Sequence, residues 1–269
     1  MKRYKRVLVC ADRIEQAAPM LAYVGGRSRV AESDEVIFLH VIDDAVRPPG
    51  DDDIAPSGDT DAQAMDRLSA QVAEHFQGHG REKTDCLVVR GSPLIETLRV
   101  MHDREVDLVM LGRHYGRTSD EDDEALLARR ITRKATCSVL VLPDEYAPQA
   151  DLLLVPVRDS DCSAAALEVA CGIAAATGAA VTALNVFQVS AGYSRVGKSL
   201  VEHQALLEAG AQRECANLLK RVSTHDVAVT CRCVPDLRSQ PVPIILSILG
   251  DGRGKAVVIG ARGRTGAAG

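Results

Sequence analysis

The residues best equipped for ligand chemistry lie in Ala256-Val-Val-Ile-Gly-Ala-Arg-Gly-Arg-Thr-Gly266, with an altered echo at Asp107-Leu-Val-Met-Leu-Gly-Arg-His-Tyr-Gly-Arg-Thr118. Each is a short apolar run that ends abruptly in glycine, the pattern of a buried parallel strand opening into a turn at its carboxyl end. Open α/β sheets bind ligands at such ends. Gly260 and Gly263 let a main chain come close to a phosphate, Arg262 and Arg264 supply positive charge, and Thr265 supplies a hydroxyl. In the first copy the corresponding positions are Gly112, His114 and Gly116. A Gly-x-x-Gly alone says little; its recurrence at matching places in the chain gives it weight.

Strands and amphipathic helices alternate in both halves. Arg6–Ala11 and Glu35–Ile42 read as strands, with apolar Ala17, Met20, Leu21 and Val24 at helical spacing between them and Gly25-Gly26 as the stop. The acidic, Pro/Gly-rich 43–61 reads as a loop. Met65, Leu68, Val72 and Phe76 mark a second helix, Cys86–Val89 a third strand, and Gly91-Ser-Pro93 the start of a helix burying Leu94, Ile95, Leu98 and Met101. Leu108–Leu111, a helix with Leu126, Leu127, Ile131 and Ala135, and Ser138–Leu142 complete the half. Tyr146–Gln149 reads as a linker.

The order then begins again. Leu152–Val157 is a strand, Ala166, Leu167, Ala170, Ile173 and Ala174 lie on a helix stopped by Gly178, and Ala180–Val186 is the next strand. A helix carrying Leu207, Ala211, Cys215, Leu218 and Val222, a strand at Val227–Val234, a helix at Pro243–Leu249 and a strand at Lys255–Ile259 follow. His40-Val41 and Asn185-Val186 are 145 residues apart, Gly112 and Gly260 148, which indicates a duplication with domains at 1–145 and 151–269. This alternation predicts parallel sheets with right-handed crossovers. The first half runs 27 residues past Gly116 to Pro143, whereas six residues follow Gly263. The expectation is a second domain without the last helix and strand of the first, its fourth strand left as an apolar edge that pairs with another chain, leans on the first domain, or belongs to a shortened form of a longer protein.

Composition excludes several classes. Trp is absent, aromatics are 3% and the net charge is −5, which leaves no stacking platform or basic field for nucleic acid. Met1–Glu145 holds 20 Lys+Arg against 27 Asp+Glu, the remainder 12 against 10, so any anion is better received in the second half. No apolar run approaches the ~20 residues of a membrane helix, and Met-Lys-Arg-Tyr-Lys-Arg leads directly into a strand, so the expected location is the cytoplasm. The eight cysteines are scattered through apolar segments and read as buried and structural. Cys231-Arg-Cys233 puts two thiols on one strand face, but no Cys/His cluster follows that would complete a metal site.

Taken together, Leu-Val-Cys-Ala-Asp12, Leu39-His-Val41, Gly91-Ser-Pro93, 107–112, 136–142, Val155-Pro-Val-Arg-Asp-Ser160 and 260–266 resemble the landmarks of a tandem universal stress protein, over nearly the whole chain. Gly192–Ser199 resembles an insertion of some tandem members. The resemblance implies two Rossmann-like, adenine nucleotide alpha hydrolase-like, three-layer α/β/α domains, with strand order 3-2-1-4-5 in the first and 3-2-1-4 in the second. It implies a non-catalytic stress-response regulator. ATP is the implied ligand, held by an Asp after the first strand, a main-chain position after the second, and Gly-x2-Gly, nine residues, then Gly-Ser/Thr at the phosphates.

Carried over by position, Asp12 and Val41 take the adenine and ribose in the first half, and Gly112, His114 and Gly116 lie by the phosphates. That half departs from the pattern: its glycines are Gly-x3-Gly, Asp120–Glu124 are five consecutive acids, and Ala125-Leu126 stands in place of Gly-Ser. Acids beside a triphosphate oppose binding by about 1 kcal/mol per close pair even in bulk water, so no ATP is expected there. In the second half Gly260, Arg262, Gly263, Arg264 and Thr265 match, Val186 keeps the main-chain position, and Asp159 is displaced by one because Arg158 occupies the Asp position. A nucleotide-free protein-interaction module, self-associating or binding another protein, is the alternative. Adenylate-forming and sulfur-inserting enzymes of related architecture carry Ser-Gly-Gly-x-Asp-Ser or His-x-Gly-His; neither occurs, and Ser92, Ser160 and Ser163 read as helix caps.

Overall fold

The computed structural model describes residues 4–11, 14, 17–25, 33–43, 60–76, 83–112, 126–142, 150–189, 200–252 and 254–261. They form two compact units, each built on its own parallel sheet.

In the first unit, β1 (Arg6–Cys10), α1 (Ala18–Gly25), β2 (Glu35–Ile42), α2 (Asp61–His75), β3 (Lys83–Arg90), α3 (Pro93–Asp103), β4 (Leu108–Gly112), α4 (Leu126–Lys134) and β5 (Ser138–Leu142) alternate as expected. The sheet order is β3-β2-β1-β4-β5. Parallel neighbours need crossovers, and the helices that make them cover the sheet on both faces. Val7, Val9, Val36 and Phe38 pack with α1 and α2 on one face; Leu8, Cys10, Ile37 and Leu39 pack with α3 and α4 on the other. That is why Val7–Cys10 of β1 and Val36–Leu39 of β2 are apolar at every position instead of alternating. Phe38 meets Phe76 edge-on, with ring centroids 5.1 Å apart at 66°.

The second unit repeats this with β6 (Leu152–Pro156), α5 (Asp161–Thr177), β7 (Ala180–Gln188), α6 (Leu200–Arg221), β8 (Val229–Asp236), α7 (Pro241–Leu249) and β9 (Lys255–Val257), in the order β8-β7-β6-β9. Both orders agree with the sequence expectation. Buried Ala211, Cys215, Leu218 and Val222 share one face of α6, as their spacing requires. Gly178 ends α5 at φ 77, a left-handed cap that favours glycine.

Several expectations need correction. Ile95 is 62% exposed; the inward face of α3 is Leu94, Thr97, Val100 and Met101, because at 100° per residue Ile95 points well away from Leu94. Ile173 likewise lies on the outer side of α5. β3 starts three residues earlier than its apolar core, since Lys83, Thr84 and Asp85 still pair with Glu35, Val36 and Ile37. α2 begins at Asp61, behind a capping box in which Thr60 Oγ1 accepts from Gln63 N–H and Gln63 Oε1 accepts from Thr60 N–H. Ser92 occupies the N-cap of α3 without a side-chain cap bond, and Pro93 follows at the first helical position, where no amide is needed. Cys231 is exposed, and of the eight cysteines only Cys10, Cys171 and Cys215 are buried.

Among the described residues the second sheet has four strands, and β9 pairs on one side only, with β6. α7 buries none of its residues: Val242 is 60% and Leu246 59% exposed, and Ile259 beyond β9 is 67% exposed.

Phe38→Ala should cost about 3–5 kcal/mol, the range for emptying a fully buried aromatic site, measured by chemical denaturation. A loss below about 1 kcal/mol would show that β2 is not the packed centre of the first unit.

Candidate functional site at the carboxyl ends of the strands

The two central strands end in the same way. Ala11 N–H donates to Leu39 O at 2.8 Å, and Val157 N–H donates to Leu184 O at 2.8 Å. These bonds mark the last sideways pairing before the chain leaves each sheet between neighbours that run on to opposite sides, the position at which doubly wound sheets take ligands.

In the second unit the turn after β6 is tied down locally. Ser160 caps α5, its Oγ accepting from Ser163 N–H at 3.2 Å and donating to Ser163 Oγ at 3.0 Å. Ser163 Oγ in turn accepts from Arg158 N–H at 3.0 Å. Ser163 is therefore buried inside the first turn and braces the loop instead of capping the helix. Asp159 does not stand alone: Arg221, in the last turn of α6, gives Nη1 to Asp159 at 2.8 Å and Nη2 to Asp161. These residues line an open hollow with Ser160 and Cys162. Both carboxylates are exposed, where such pairs contribute about 0–1 kcal/mol, so the clasp positions the loop without locking it.

Beyond β9, Val258 N–H donates to Leu154 O at 3.0 Å, which carries the strand's pairing one residue further. Gly260 then presses on the first turn of α5. A Cβ built there would stand 2.1 Å from Cys162 O and 2.5 Å from its carbonyl carbon. Only glycine fits. Val186 is half-buried near the end of β7, paired with Val234. Arg262, Gly263, Arg264 and Thr265 lie outside the described residues.

In the first unit Val41 is paired with Val89, and His40 Nδ1–H donates to Ala11 O at 2.9 Å. Asn185 replaces His40 at the matching position; it is buried and gives Nδ2–H to Glu214 of α6 at 3.1 Å instead. Gly112 closes β4 with nothing within 4 Å of a built Cβ. Asp12, His114 and Gly116, like the acidic run 120–124 and the insertion 192–199, lie outside the described residues. The structure thus brings Asp159 and Gly260 to the two sides of the α5 N-terminus, through Ser160 and Cys162, and places Val41 and Gly112 at the carboxyl ends of their strands.

Sequence reasoning did not find Arg221. Its only local signal is a basic residue in a helix's last turn, and its partners lie 62 and 60 residues away. A second hollow, lined by Lys5, Arg6, Glu35, Lys83, Glu105 and Asp107, sits at the amino ends of the first sheet. There Glu35 is paired with Arg6, Lys83 and Arg104, and Arg104 also reaches Asp85 at 2.6 Å. It is a cross-strand ion network at the end opposite to the carboxyl ends of the strands. Among the described residues no group of three His, Cys, Asp or Glu is arranged to hold a metal ion, and no helix is long and apolar enough to cross a membrane.

Gly260→Ala should destabilise the second unit by about 1–3 kcal/mol through overpacking against main-chain atoms. Gly112→Ala, in open space, should change stability by less than about 0.5 kcal/mol. Equal effects in thermal denaturation would contradict the different roles assigned to the two glycines.

Residues 3–143 and 151–269 each match the model of the universal stress protein family. The crystal structure of a universal stress protein from Archaeoglobus fulgidus DSM 4304 is similar over 96% of this chain and 86% of that one, with TM-score 0.64 and 15% identity. A functionally unknown protein from Pseudomonas aeruginosa PAO1 is similar over 98% of this chain and 84% of that one, with TM-score 0.62 and 15% identity. No curated protein is significantly similar to the chain. At such identities the solved structures speak for the fold, and the family rests on the two sequence matches. With both halves matched and both sheets wound in the same order, the chain belongs to the universal stress protein family.

Proposed function

We propose that this protein is a non-catalytic stress-response regulator that takes an adenine nucleotide, ATP, at the carboxyl end of its second sheet. The observation that carries this reading is the convergence of β6, β9 and the N-terminus of α5, with the main chain of Gly260 seated against Cys162. A phosphate brought there meets the positive end of a 17-residue helix. The excess of basic residues in the second half favours the same choice. Arg262, Gly263, Arg264 and Thr265 follow directly and supply the remaining phosphate contacts that the family resemblance implies, while the main chain at Val186 faces the base. Contact of Asp159 with the base requires it to leave Arg221, whose released guanidinium then offers a counter-charge to the phosphates.

The absence of catalysis is part of the proposal. Ser160 and Ser163 are engaged in bracing the α5 loop, and the carboxylates beside them, Asp159 and Asp161, are tied to Arg221. The first unit takes no nucleotide on this reading, because Asp120–Glu124 would face the triphosphate.

A second reading, a nucleotide-free interaction module, is favoured by the ion pair that already occupies Asp159. The apolar exposure of Val242, Leu246 and Ile259 would then serve a second copy or another protein.

Titration calorimetry of the full chain with Mg·ATP separates the two. One ATP per chain is expected, weakened about tenfold or more by Asp159→Asn, since a hydrogen bond to a charged group contributes about 1.5–3 kcal/mol. No heat of binding at millimolar ATP would dismiss the nucleotide reading and leave the interaction module.

A further inference from the structure

Three thiols meet between α6 and β8. Cys231 and Cys233 are two residues apart on β8, opposite Ala183 and Asn185 of β7, and their side chains leave the same face. Cys215 of α6 comes down onto that face, and its thiol interacts with both of theirs. The helix is held in this register by Glu214, the residue before Cys215, which accepts the buried Asn185 amide. Cys215 and Cys233 belong to the packed core of the unit, whereas Cys231 is open to solvent. The three sulfurs therefore run from interior to surface, and none is in a disulfide. The sequence shows Cys231 and Cys233 as a pair but does not join Cys215 to them, because the helical partner precedes the strand pair.

From this arrangement we infer that Cys215, Cys231 and Cys233 form an oxidant-responsive site, in which Cys231 is oxidised by a hydroperoxide and Cys215 closes a disulfide with it. It is independent of nucleotide binding. Cys231 sulfur attacks the peroxide O–O bond, which breaks to give the sulfenic acid and water from hydrogen peroxide (an alcohol from an organic hydroperoxide). Cys215 sulfur then attacks the sulfenic sulfur; the S–O bond breaks, the S–S bond forms, and the hydroxyl leaves with the Cys215 proton as water. With hydrogen peroxide the balance is two thiols and one peroxide consumed, one disulfide and two waters formed.

Geometry excludes a disulfide within the strand, and exposure selects Cys231 over Cys233 as the thiol oxidised first. Two residues apart on one strand, Cys231 and Cys233 have parallel Cα–Cβ bonds about 6.6 Å apart, whereas a disulfide needs Cβ atoms about 3.5–4.5 Å apart. The partner must come from the facing element, and Cys215 is the cysteine there. Burial, with the neighbouring Cys231 and Cys233 sulfurs adding to it, pushes Cys215 up to about 12, and burial raises Cys233 as well. The inner sulfurs thus remain protonated thiols at neutral pH, an oxidant in solution reaches Cys231 first, and closure by Cys215, which attacks as its thiolate, speeds up as the pH rises.

The test uses the intact full chain treated with one equivalent of hydrogen peroxide, followed by alkylation and peptide mapping. Titratable thiols should fall from eight to six, a Cys215–Cys231 cross-link should appear, and dithiothreitol should restore all eight. Cys233→Ser should still lose two thiols, while Cys231→Ser, an exposed substitution that leaves the core intact, should lose them about tenfold more slowly or not at all. The inference is overturned if Cys231→Ser loses two thiols at the wild-type rate, if the cross-link joins other cysteines or two chains, or if Cys231 goes to sulfinic acid without forming a disulfide.

Discussion

The structure depends on one requirement: strands buried on both faces must satisfy their peptide groups sideways, within the sheet. β1 does this between β2 and β4, and β6 between β7 and β9. Leu8, Val9, Leu154 and Val155 are fully buried, so no water substitutes for a missing neighbour. The requirement ends where Ala11 and Val157 make the last sideways bonds, and there main-chain groups first become free to meet a ligand. Fold and site location follow from the same accounting.

The two units satisfy it in the same way at β1 and β6 and then diverge in what they place at the opening. His40 closes on Ala11 O in the first, while Asn185 turns to Glu214 of α6 in the second. Gly112 borders open space, whereas Gly260 is wedged against Cys162. Arg221 clasps Asp159 and Asp161 across the second opening, and an acidic tract follows Gly116 in the first. Duplication kept the scaffold and left the two openings free to acquire different chemistry, in line with the general separation of fold and function.

Most of the scaffold was legible because its signals are local and repeated. The apolar runs of β1, β2, β6 and β7 and the spacing of Ala211, Cys215, Leu218 and Val222 need only the chain's own period. Ile95 misled because it adjoins Leu94 on an apolar stretch, and helix phase, not hydrophobicity, decides which of the two turns inward. The polar start of β3 was missed because its residues are recruited by pairing with β2 and not by burial. The site was only partly legible. Gly260 was found as a flexible glycine, but its closeness to Cys162 depends on where α5 docks. Arg221 and the Cys215 thiol were invisible at their openings, since each comes from α6, more than a dozen residues from its partners in sequence. Contacts between elements carry no sequence period, and that is where the chemistry of this unit resides.

The central claim is that the second opening, between β6 and β9 at the head of α5, receives the ligand. Hydrogen–deuterium exchange of the full chain with and without saturating Mg·ATP tests it most directly. The account predicts slowed exchange confined to the β6–α5 turn at 158–164, the end of β7 at 186–189 and the glycine turn at 260–265, with the ends of β1, β2 and β4 unchanged. Protection at Ala11, Val41 and Gly112 instead, or no protection anywhere, would contradict it.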